Sequence, residues 1–371
     1  MKASHLAESA TLGALLIDSG AMRQVGGWLR PGDFDDPWHS GLYTVLRERA
    51  VARQDLGAEA VGLALLDRLG HRRADLPRIH GVLRCVPTPA APLHYARMVL
   101  DASLRREVTC QAVLLRACAL AAALQHDPRP VTVGTSMVAT TFVDGERRWQ
   151  LASGGSPSAQ ATHPELEPVL RNLDRYLAAD RFLSAHPPLD PGEALEHERT
   201  LVCSLIVRPG SLPAIRQWLR PQGLQDQAWR ATYRAVLELH DRRAPIDPVT
   251  VAWETQRAAA QHGPGPDPAE LIRALEIAGA SEPTFHAKAV AAALIRRTAD
   301  HAAGTLEAAA MNPGLDLPSV YETGSLVLQG LTSVSQGLQS CPDSGARRHL
   351  AAVHELDPVR PWVALGLPES G

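Results

Sequence analysis

Aromatic residues are scarce in this sequence. They make up 4% of its 371 residues, whereas hydrophobic residues make up 45%. Alanine, leucine and valine supply most of the apolar content, and this mixture favours helices over strands. The composition therefore predicts a helical protein and argues against an all-β fold. The length of 371 residues fits about two domains.

Lysine is almost absent as well. Two lysines stand against 35 arginines, and the formal net charge is −3. A protein that binds nucleic acid by charge alone carries a strongly basic balance or a long basic run, and this sequence has neither. Any contact with DNA must therefore be local.

Neither paired cysteines nor a long apolar run is present. The cysteines are odd in number and lie at scattered spacings with no CxxC pair: Cys85, Cys110, Cys118, Cys203 and Cys341. This pattern predicts a reduced, cytoplasmic protein without a zinc site. No uninterrupted stretch of about 20 apolar residues occurs, and polar residues break the N-terminal apolar segment. We therefore expect no membrane span and no export signal.

An internal repeat organises the chain. The segment ESATLGALLIDSGAMRQVGGWLRPGDFDDPWHSGLYTVLRE, which begins at Glu8, aligns without gaps with ERTLVCSLIVRPGSLPAIRQWLRPQGLQDQAWRATYRAVLE, which begins at Glu198, at an offset of 190 residues. After one inserted residue the match resumes, with HYARMVLDASLRR at 94–106 against FHAKAVAAALIRR at 285–297. Each copy thus spans about a hundred residues, which suits a small domain better than a solenoid unit.

The pattern within each copy is helical. Apolar residues recur at i, i+3 and i+4 in the first helix of both copies. Pro31 and Pro221 should force the preceding arginine out of the helical region, which ends a short helix with Trp28 and Trp218 on its last turn. Asp247 and Pro248 are typical of an N-cap and a first helical position. The corresponding helix of the first copy begins near Gly57 with weaker capping.

Changes in composition divide the chain into four parts. The predicted parts are the first copy at 1–126, a linker at 127–192 with one helix at 164–184, the second copy at 193–341, and a tail at 342–371. Glycine, serine, proline and threonine break the helical pattern from residue 127 to 162, and SGGSPSAQAT at 153–162 predicts a flexible linker. Whether residues 127–162 fold as part of the first hairpin stays open at this point. Frequent proline and mixed charge predict a partly disordered tail.

The repeated segments resemble the N-terminal domain of DnaB-type replicative DNA helicases. The most specific motifs are DFDDPWHSGLY at 33–43 and HYARMV at 94–99; in the second copy IDPVTV at 246–251 fits the family well. The second copy departs from the pattern where Gln227 and Trp229 replace Pro37 and His39.

The resemblance implies an all-α protein of two homologous small helical bundles, each followed by a helical hairpin and joined by a linker that contains Gly, Ser and Pro. In that family the hairpins pair, and six domains form a collar that contacts primase and helicase loaders. The family's motor is a separate ATPase domain. A GxxxxGK[ST] loop needs a lysine that reaches the phosphates, and neither Lys2 nor Lys288 stands in such a loop. We therefore expect no ATPase or helicase activity from these residues.

Two sets of residues recur at matched positions in the copies. The repeat signature consists of Trp28, Pro31, Tyr43, Trp218, Pro221 and Tyr233. Its aromatic members lie on apolar helical stripes, which favours core packing over binding of bases or of a partner. The paired arginines Arg105, Arg106, Arg296 and Arg297 are candidates for contact with a partner protein or with DNA phosphates, although an ordinary solvated helix face explains them too.

No catalytic constellation, cofactor motif or metal-ligand spacing is found in the sequence. The leading hypothesis is a non-enzymatic interaction protein of DNA replication, an adaptor or regulator whose partner is the replicative helicase, primase or helicase loader. Its two copies would pair within the chain as a pseudo-dimer or between chains as a homo-oligomer. The alternatives are a DNA-binding or transcription-associated helical scaffold, and a helicase relic that acts with a separate ATPase subunit.

Overall fold

The structure, a computed structural model, describes residues 3–87, 91–125, 127, 129–156, 173–186, 190–278 and 281–339. Within these ranges the regular secondary structure consists of helices without a strand, which confirms the predicted all-α fold. The two copies have the same order of elements. We therefore describe the elements copy by copy.

The first copy is a bundle of six helices followed by two long ones. The bundle contains α1 (Ala3–Ile17), α2 (Met22–Val25), α3 (Pro37–Val51), α4 (Ala58–Leu69), α5 (His71–Ala74) and α6 (Leu76–Arg84). Short 3-10 turns occupy Ser19–Ala21 and Pro31–Asp33. The long helices α7 (Pro92–Gln125) and α8 (Arg129–Ala152) form an antiparallel hairpin, in which Arg97 of α7 donates to the carbonyl of Ala152 at 2.5 Å.

The second copy repeats this order after a separate helix, α9 (Leu173–Ala185). Its bundle contains α10 (Pro191–Val207), α11 (Leu212–Ile215), α12 (Gln227–Asp241), α13 (Pro248–Arg257), α14 (Ala259–His262) and α15 (Pro268–Ala278). Its 3-10 turns are Pro209–Ser211 and Pro221–Gly223, and its hairpin consists of α16 (Pro283–Met311) and α17 (Leu317–Gln339).

Helix ends follow the local signals in the sequence. Asp247 caps α13 by accepting from the N–H groups of Val249 and Thr250, and Gly57 caps α4 without a side-chain bond; both predictions are confirmed. The residues before Pro31 and Pro221 are extended, as predicted.

The position expected for the two tryptophans was wrong by a few residues. The short helices α2 and α11 end at Val25 and Ile215, so Trp28 and Trp218 lie in the turn that follows each helix. The chain has to leave the helical conformation before the residue that precedes proline, and it does so one turn early in both copies.

The apolar stripes of the first helices face the bundle cores. Leu12, Leu15 and Leu16 are buried in α1, and α1 packs against α6. In the second copy α10 packs against α15 in the same way. The predicted i, i+3, i+4 pattern therefore corresponds to the buried face of each helix.

The chain divides into two compact units. The first contains the described residues of 1–110, 138–171 and 306–325; the second contains those of 111–137, 172–305 and 326–371. Each unit combines residues of both copies, because the end of α16 and the start of α17 belong to the first unit, whereas the end of α7 and the start of α8 belong to the second.

The predicted linker was wrong over the residues of α8, which is a regular helix. Its glycines are sites of close packing. A Cβ at Gly134 would lie 2.8 Å from Cys118 Sγ, and one at Gly145 would lie 3.4 Å from Leu104 Cδ2. These two glycines let α8 approach α7 closely, and composition alone does not distinguish a glycine of this kind from a glycine in a loop. The predicted linker helix is helical over Leu173–Ala185; its residues 164–172 and the tail 342–371 lie outside the described residues.

Among the described helices, α7 is long and apolar enough to cross a membrane by length and composition. Its most apolar stretch of 18 residues has a mean hydropathy of 1.5, and 67% of that stretch is buried inside the protein. These side chains are therefore covered by other parts of the chain, as in the core helix of a bundle.

Candidate protein-interaction site

A buried ionic junction joins the bundle of the first copy to its hairpin. The 3-10 turn that begins at Pro31 places the Asp33 carboxylate against α7 and α8. Asp33 accepts from the hydroxyl of Ser103 at 2.8 Å and forms an ion pair with Arg148. The side chains of Asp33 and Arg148 are both 0% exposed. Together with a second ion pair, between Arg30 and Asp144, these three residues form what we call the buried junction.

The second ion pair of the junction joins Arg30 to Asp144. Its two hydrogen bonds measure 2.8 and 3.1 Å. Arg148 also donates from Nε to the carbonyl oxygen of Trp28 at 2.8 Å, whereas its Nη1 has no hydrogen-bond partner among the described residues. The loop at 28–33 is thus held to α8 by both of its charged side chains. Removal of one partner from a buried ion pair is strongly destabilising, because the other partner is left as a buried charge without its counter-charge.

Glu107 lies beside the junction on α7. Burial raises the pKa of Glu107 to about 8, and the negative charges of Asp33 and Asp144 act in the same direction. The positive charges of Arg148 and Arg30 oppose the shift without cancelling it. The first copy therefore holds a protonated carboxyl group near neutral pH beside two ion pairs.

Among the described residues of the second copy no such junction is present. Gly223 stands at the position of Asp33, and Leu294 stands at that of Ser103. A Cβ at Gly223 would lie 3.0 Å from Leu219 Cδ1 and 3.2 Å from Leu294 Cδ2, so leucine side chains fill the space of the carboxylate. The sequence of α17 contains no arginine or aspartate. The buried junction thus distinguishes the first copy from the second.

The paired arginines of the first copy contact backbone carbonyls. Arg105 donates to the carbonyls of Ala310, Asn312 and Leu315 at 3.2, 3.0 and 2.6 Å. These three residues end α16 and form the turn before α17, so Arg105 holds the tip of the second hairpin within the first unit. Arg106 donates to the Asp33 carbonyl at 2.6 Å.

The paired arginines of the second copy differ from each other. Arg297 donates to the Gly223 carbonyl at 2.9 Å and to the side-chain oxygen of Gln225 at 3.2 Å, which repeats the role of Arg106. Arg296 lies near Asp300, and its charge opposes the rise that burial produces in the pKa of Asp300. The contacts of these four arginines with a partner or with phosphate stay a prediction.

The repeat signature secures the turn after each short helix. Trp28, Trp218, Tyr43 and Tyr233 are buried. The Tyr43 hydroxyl donates to the Leu29 carbonyl at 3.2 Å, and that of Tyr233 donates to the Leu219 carbonyl at 3.0 Å. Burial raises the pKa of both tyrosines. Pro31 and Pro221 begin the 3-10 turns that follow.

Sequence reasoning missed a matched pair of buried glutamates. Glu8 accepts from the N–H groups of Asp35 and Asp36 at 2.8 and 3.4 Å, and Glu198 accepts from those of Gln225 and Asp226 at 2.6 and 2.8 Å. Both satisfy the backbone just before the third helix of the bundle, α3 in the first copy and α12 in the second. Their identity in the repeat alignment was the signal that could have revealed them.

In the first copy a histidine extends this contact. His39 lies 2.8 Å from Glu8 through Nδ1 and 3.3 Å from the Ser9 hydroxyl through Nε2. The order of Ser, His and acid is that of a hydrolase triad, but the His39 side chain is 3% exposed and lies inside the bundle. The contacts of His39 with Glu8 and Ser9 therefore hold α3 against α1. Among the described residues, no group of three or more His, Cys, Asp or Glu side chains is placed to hold a metal ion.

The tip of the second hairpin packs against the first hairpin within the first unit. The rings of Phe142 and Tyr321 are 5.4 Å apart between centroids and tilted by 57°. A Cβ at Gly324 of α17 would lie 3.0 Å from Phe142 Cζ of α8, so these two helices approach each other closely at this glycine. Together with the three bonds from Arg105, these contacts form a hairpin-to-hairpin interface.

Comparison with known proteins gives one consistent match. Residues 1–101 and 190–291 each match the family model described as the DnaB-like helicase N terminal domain. These segments of 101 and 102 residues cover more than half of the 371 residues.

Two of the most similar curated relatives are called replicative DNA helicase DnaB. The relative from Mycobacterium leprae (strain TN) is 33% identical over 104 residues, which is 28% of this chain and 17% of the relative. That from Rhodothermus marinus is 24% identical over 107 residues, which is 29% of this chain and 11% of the relative. The matches therefore span a small part of each relative.

Proposed function

The chain belongs to the family of the DnaB-like helicase N-terminal domain, and from this membership we propose that it is a non-catalytic protein-interaction module of DNA replication. It acts in the cytoplasm as an adaptor or regulator of the replicative helicase. The observation that carries the proposal is the double match, because two interaction domains stand in tandem in one chain.

The hairpin contacts support a particular form of this function. Arg105 binds the turn between α16 and α17, and Phe142 packs on Tyr321, so hairpin surfaces of the two copies are used against each other. We infer that the chain is an intramolecular pseudo-dimer. Its bundles then present two related surfaces on one molecule, which raises the effective concentration for the second contact with a partner.

The partner classes are the replicative helicase, primase and the helicase loader. Contact with DNA is the weaker alternative, because three of the four arginines proposed for it donate to acceptors of this chain. A helicase relic that needs a separate ATPase subunit is the other alternative.

The test is co-elution with light scattering. The purified chain is measured alone and after mixing in turn with the replicative helicase and the primase of its own host. A stable complex with either protein is the expected result, and the chain alone should have the mass of one chain. Failure to shift either protein, combined with a shift of duplex or single-stranded DNA, would replace the proposal with the DNA-binding scaffold.

A further inference from the structure

The surface formed by α5 and α6 of the first bundle is rich in arginine. Residues 71–84 contain four arginines and a single acid, Asp75, so their formal charge is +3. The whole chain, by contrast, has a formal net charge of −3. Three of these arginines, Arg72, Arg73 and Arg84, are exposed, and we call them the basic face.

The backbone that carries the basic face is held in place by Trp38 of α3. The indole nitrogen of Trp38 donates to the carbonyl of Ala74, the last residue of α5, at 2.8 Å. The fourth arginine, Arg78, lies with its guanidinium carbon 4.6 Å from the centre of the Trp38 ring and forms an ion pair with Asp36. Arg78 is therefore used within the bundle, where it holds α6 against α3.

The guanidinium groups of the basic face have no such internal use. Arg72, Arg73 and Arg84 make no hydrogen bond or ion pair through their side chains with any other described residue. On α6, Arg84 lies on the side opposite to Ile79 and Val82, which are buried. Each of these arginines therefore keeps all of its N–H donors for a ligand.

The corresponding surface of the second bundle has the opposite charge. Helices α14 and α15 follow α13 as α5 and α6 follow α4, and α15 packs against α10 as α6 packs against α1. Residues 259–278 contain one arginine and three acids, Asp267, Glu270 and Glu276, and all three acids are exposed. The repeat fold itself does not need arginine on this surface, so the basic face is particular to the first copy.

The side chains around the basic face favour phosphate as the ligand over a protein partner. Protein interfaces are centred on apolar and aromatic anchors. Among the described residues 71–85, Leu76 is the one large apolar side chain that is exposed, and its exposed fraction is 37%. Helix α15 of the second bundle, in contrast, exposes both Ile272 and Ile277. Arginine forms two parallel hydrogen bonds with phosphate oxygens, a geometry that suits a ligand without apolar anchors.

We propose that the basic face is a sequence-independent contact for the phosphate backbone of a nucleic acid. Helix geometry places Arg84 roughly 20 Å or less from Arg73 along the surface, and this span covers about six phosphates of one strand. The contact is made to phosphate and not to base edges, so no preference for a base sequence is expected.

This contact differs from the one considered for the paired arginines. Three of the paired arginines donate to acceptors of the chain itself, whereas the arginines of the basic face are available. The contact also goes beyond the proposed binding of replication proteins. The chain can bind nucleic acid without binding helicase or primase, and failure of either activity leaves the other intact.

The first experiment measures the fluorescence anisotropy of a labelled oligonucleotide, single-stranded or duplex, with the full chain. We expect a Kd between about 10⁻⁴ and 10⁻⁶ M, and a slope of log K against log salt of about −3 for the duplex and about −2 for the single strand. The triple variant Arg72→Gln, Arg73→Gln and Arg84→Gln should weaken binding at least about tenfold and bring the slope close to zero. Failure of the wild type to bind either form would overturn the proposal.

The matched control is the triple variant Arg23→Gln, Arg220→Gln and Arg273→Gln. It removes the same charge from exposed positions elsewhere and should bind as the wild type does. Equal weakening in both triple variants would assign binding to net charge and refute a local site. Both variants should melt within about 3 °C of the wild type. If the basic-face variant melts lower, its three single variants replace it, and each should reduce the steepness of the salt slope by about 1.

A polyglutamate peptide tests whether the basic face recognises an acidic protein instead. We expect the peptide to bind more weakly than the duplex at the same salt concentration, because duplex DNA has a charge about every 1.7 Å along its axis. Tighter binding of the peptide than of either oligonucleotide, lost in the basic-face variant, would overturn the assignment to nucleic acid. Co-elution of the basic-face variant with helicase or primase measures the proposed protein contact separately.

Discussion

The carboxylate of Asp33 and the guanidinium of Arg148 form an ion pair from which water is excluded on both sides. The two residues are 115 positions apart in the sequence, in the loop before α3 and in the second arm of the hairpin. Their pairing fixes how the first bundle meets its hairpin. The second copy reaches the same arrangement of elements with Gly223 and leucine side chains, so the ion pair is an addition to the fold and not a requirement of it.

Removal of one member of this pair should be much worse than removal of both. Arg148→Met leaves the Asp33 carboxylate buried without its counter-charge, and we expect the free energy of unfolding to fall by about 3 to 5 kcal/mol. The double variant Asp33→Gly with Arg148→Met imitates the second copy and should recover at least half of that loss. Urea denaturation followed by circular dichroism gives both values. Equal losses in the single and double variants would show that the charge is not the cause.

The raised pKa of Glu107 predicts a pH dependence of stability. The folded state keeps a proton on Glu107 up to a pH of about 8, whereas the unfolded state loses that proton near the ordinary value of 4.5. The folded state therefore binds more protons between these values, and stability should fall as the pH rises from about 4.5 to about 8. Glu107→Gln should remove this part of the decline.

The measurement for Glu107 is the melting temperature of both proteins at several values between pH 5 and pH 8. Glu146→Gln, in an exposed acid on α8, is the matched control and should keep the wild-type slope. A Glu107→Gln profile parallel to that of the wild type would contradict the assignment.

The sequence predicts the fold more completely than it predicts the site. Identical residues at a fixed offset revealed the repeat, and Asp-Pro signals located helix starts, because caps and proline act locally. The buried junction was not predictable in this way. Asp33 and Arg148 are brought together by tertiary packing, and the second copy offers no arginine in α17 whose recurrence would have marked the position.

The misread linker has a related cause. Composition assigns glycine and threonine to loops, but in α8 the positions of Gly134 and Gly145 are defined by neighbours on other helices. A segment-by-segment reading cannot see those neighbours.

The buried glutamates should differ in their importance. Each glutamate accepts from two backbone N–H groups, one with each carboxylate oxygen, and glutamine replaces one of these oxygens with an NH2 group that cannot accept. Glu8→Gln also deprives His39 of its acid partner, whereas Glu198→Gln affects the backbone contact alone. We expect Glu8→Gln to cost about 1 to 3 kcal/mol of unfolding free energy and Glu198→Gln to cost less. Thermal unfolding of the two variants side by side checks the order. A larger loss for Glu198→Gln would contradict it.

Substitution of Arg105 and of its counterpart Arg296 should distinguish a structural role of the paired arginines from a contact with DNA phosphates. Arg105→Ala loses three charged hydrogen bonds to the tip of the second hairpin and should lower the unfolding free energy by about 1.5 to 3 kcal/mol. Arg296→Ala should stay within about 0.5 kcal/mol of the wild type. If DNA is bound through the paired arginines, Arg296→Ala should lower the slope of log K against log salt by about 1 in fluorescence anisotropy, and Arg105→Ala should leave it unchanged. A loss of stability in Arg296→Ala equal to that in Arg105→Ala would mean that both arginines hold hairpin turns, and the phosphate role would then fall for the whole set.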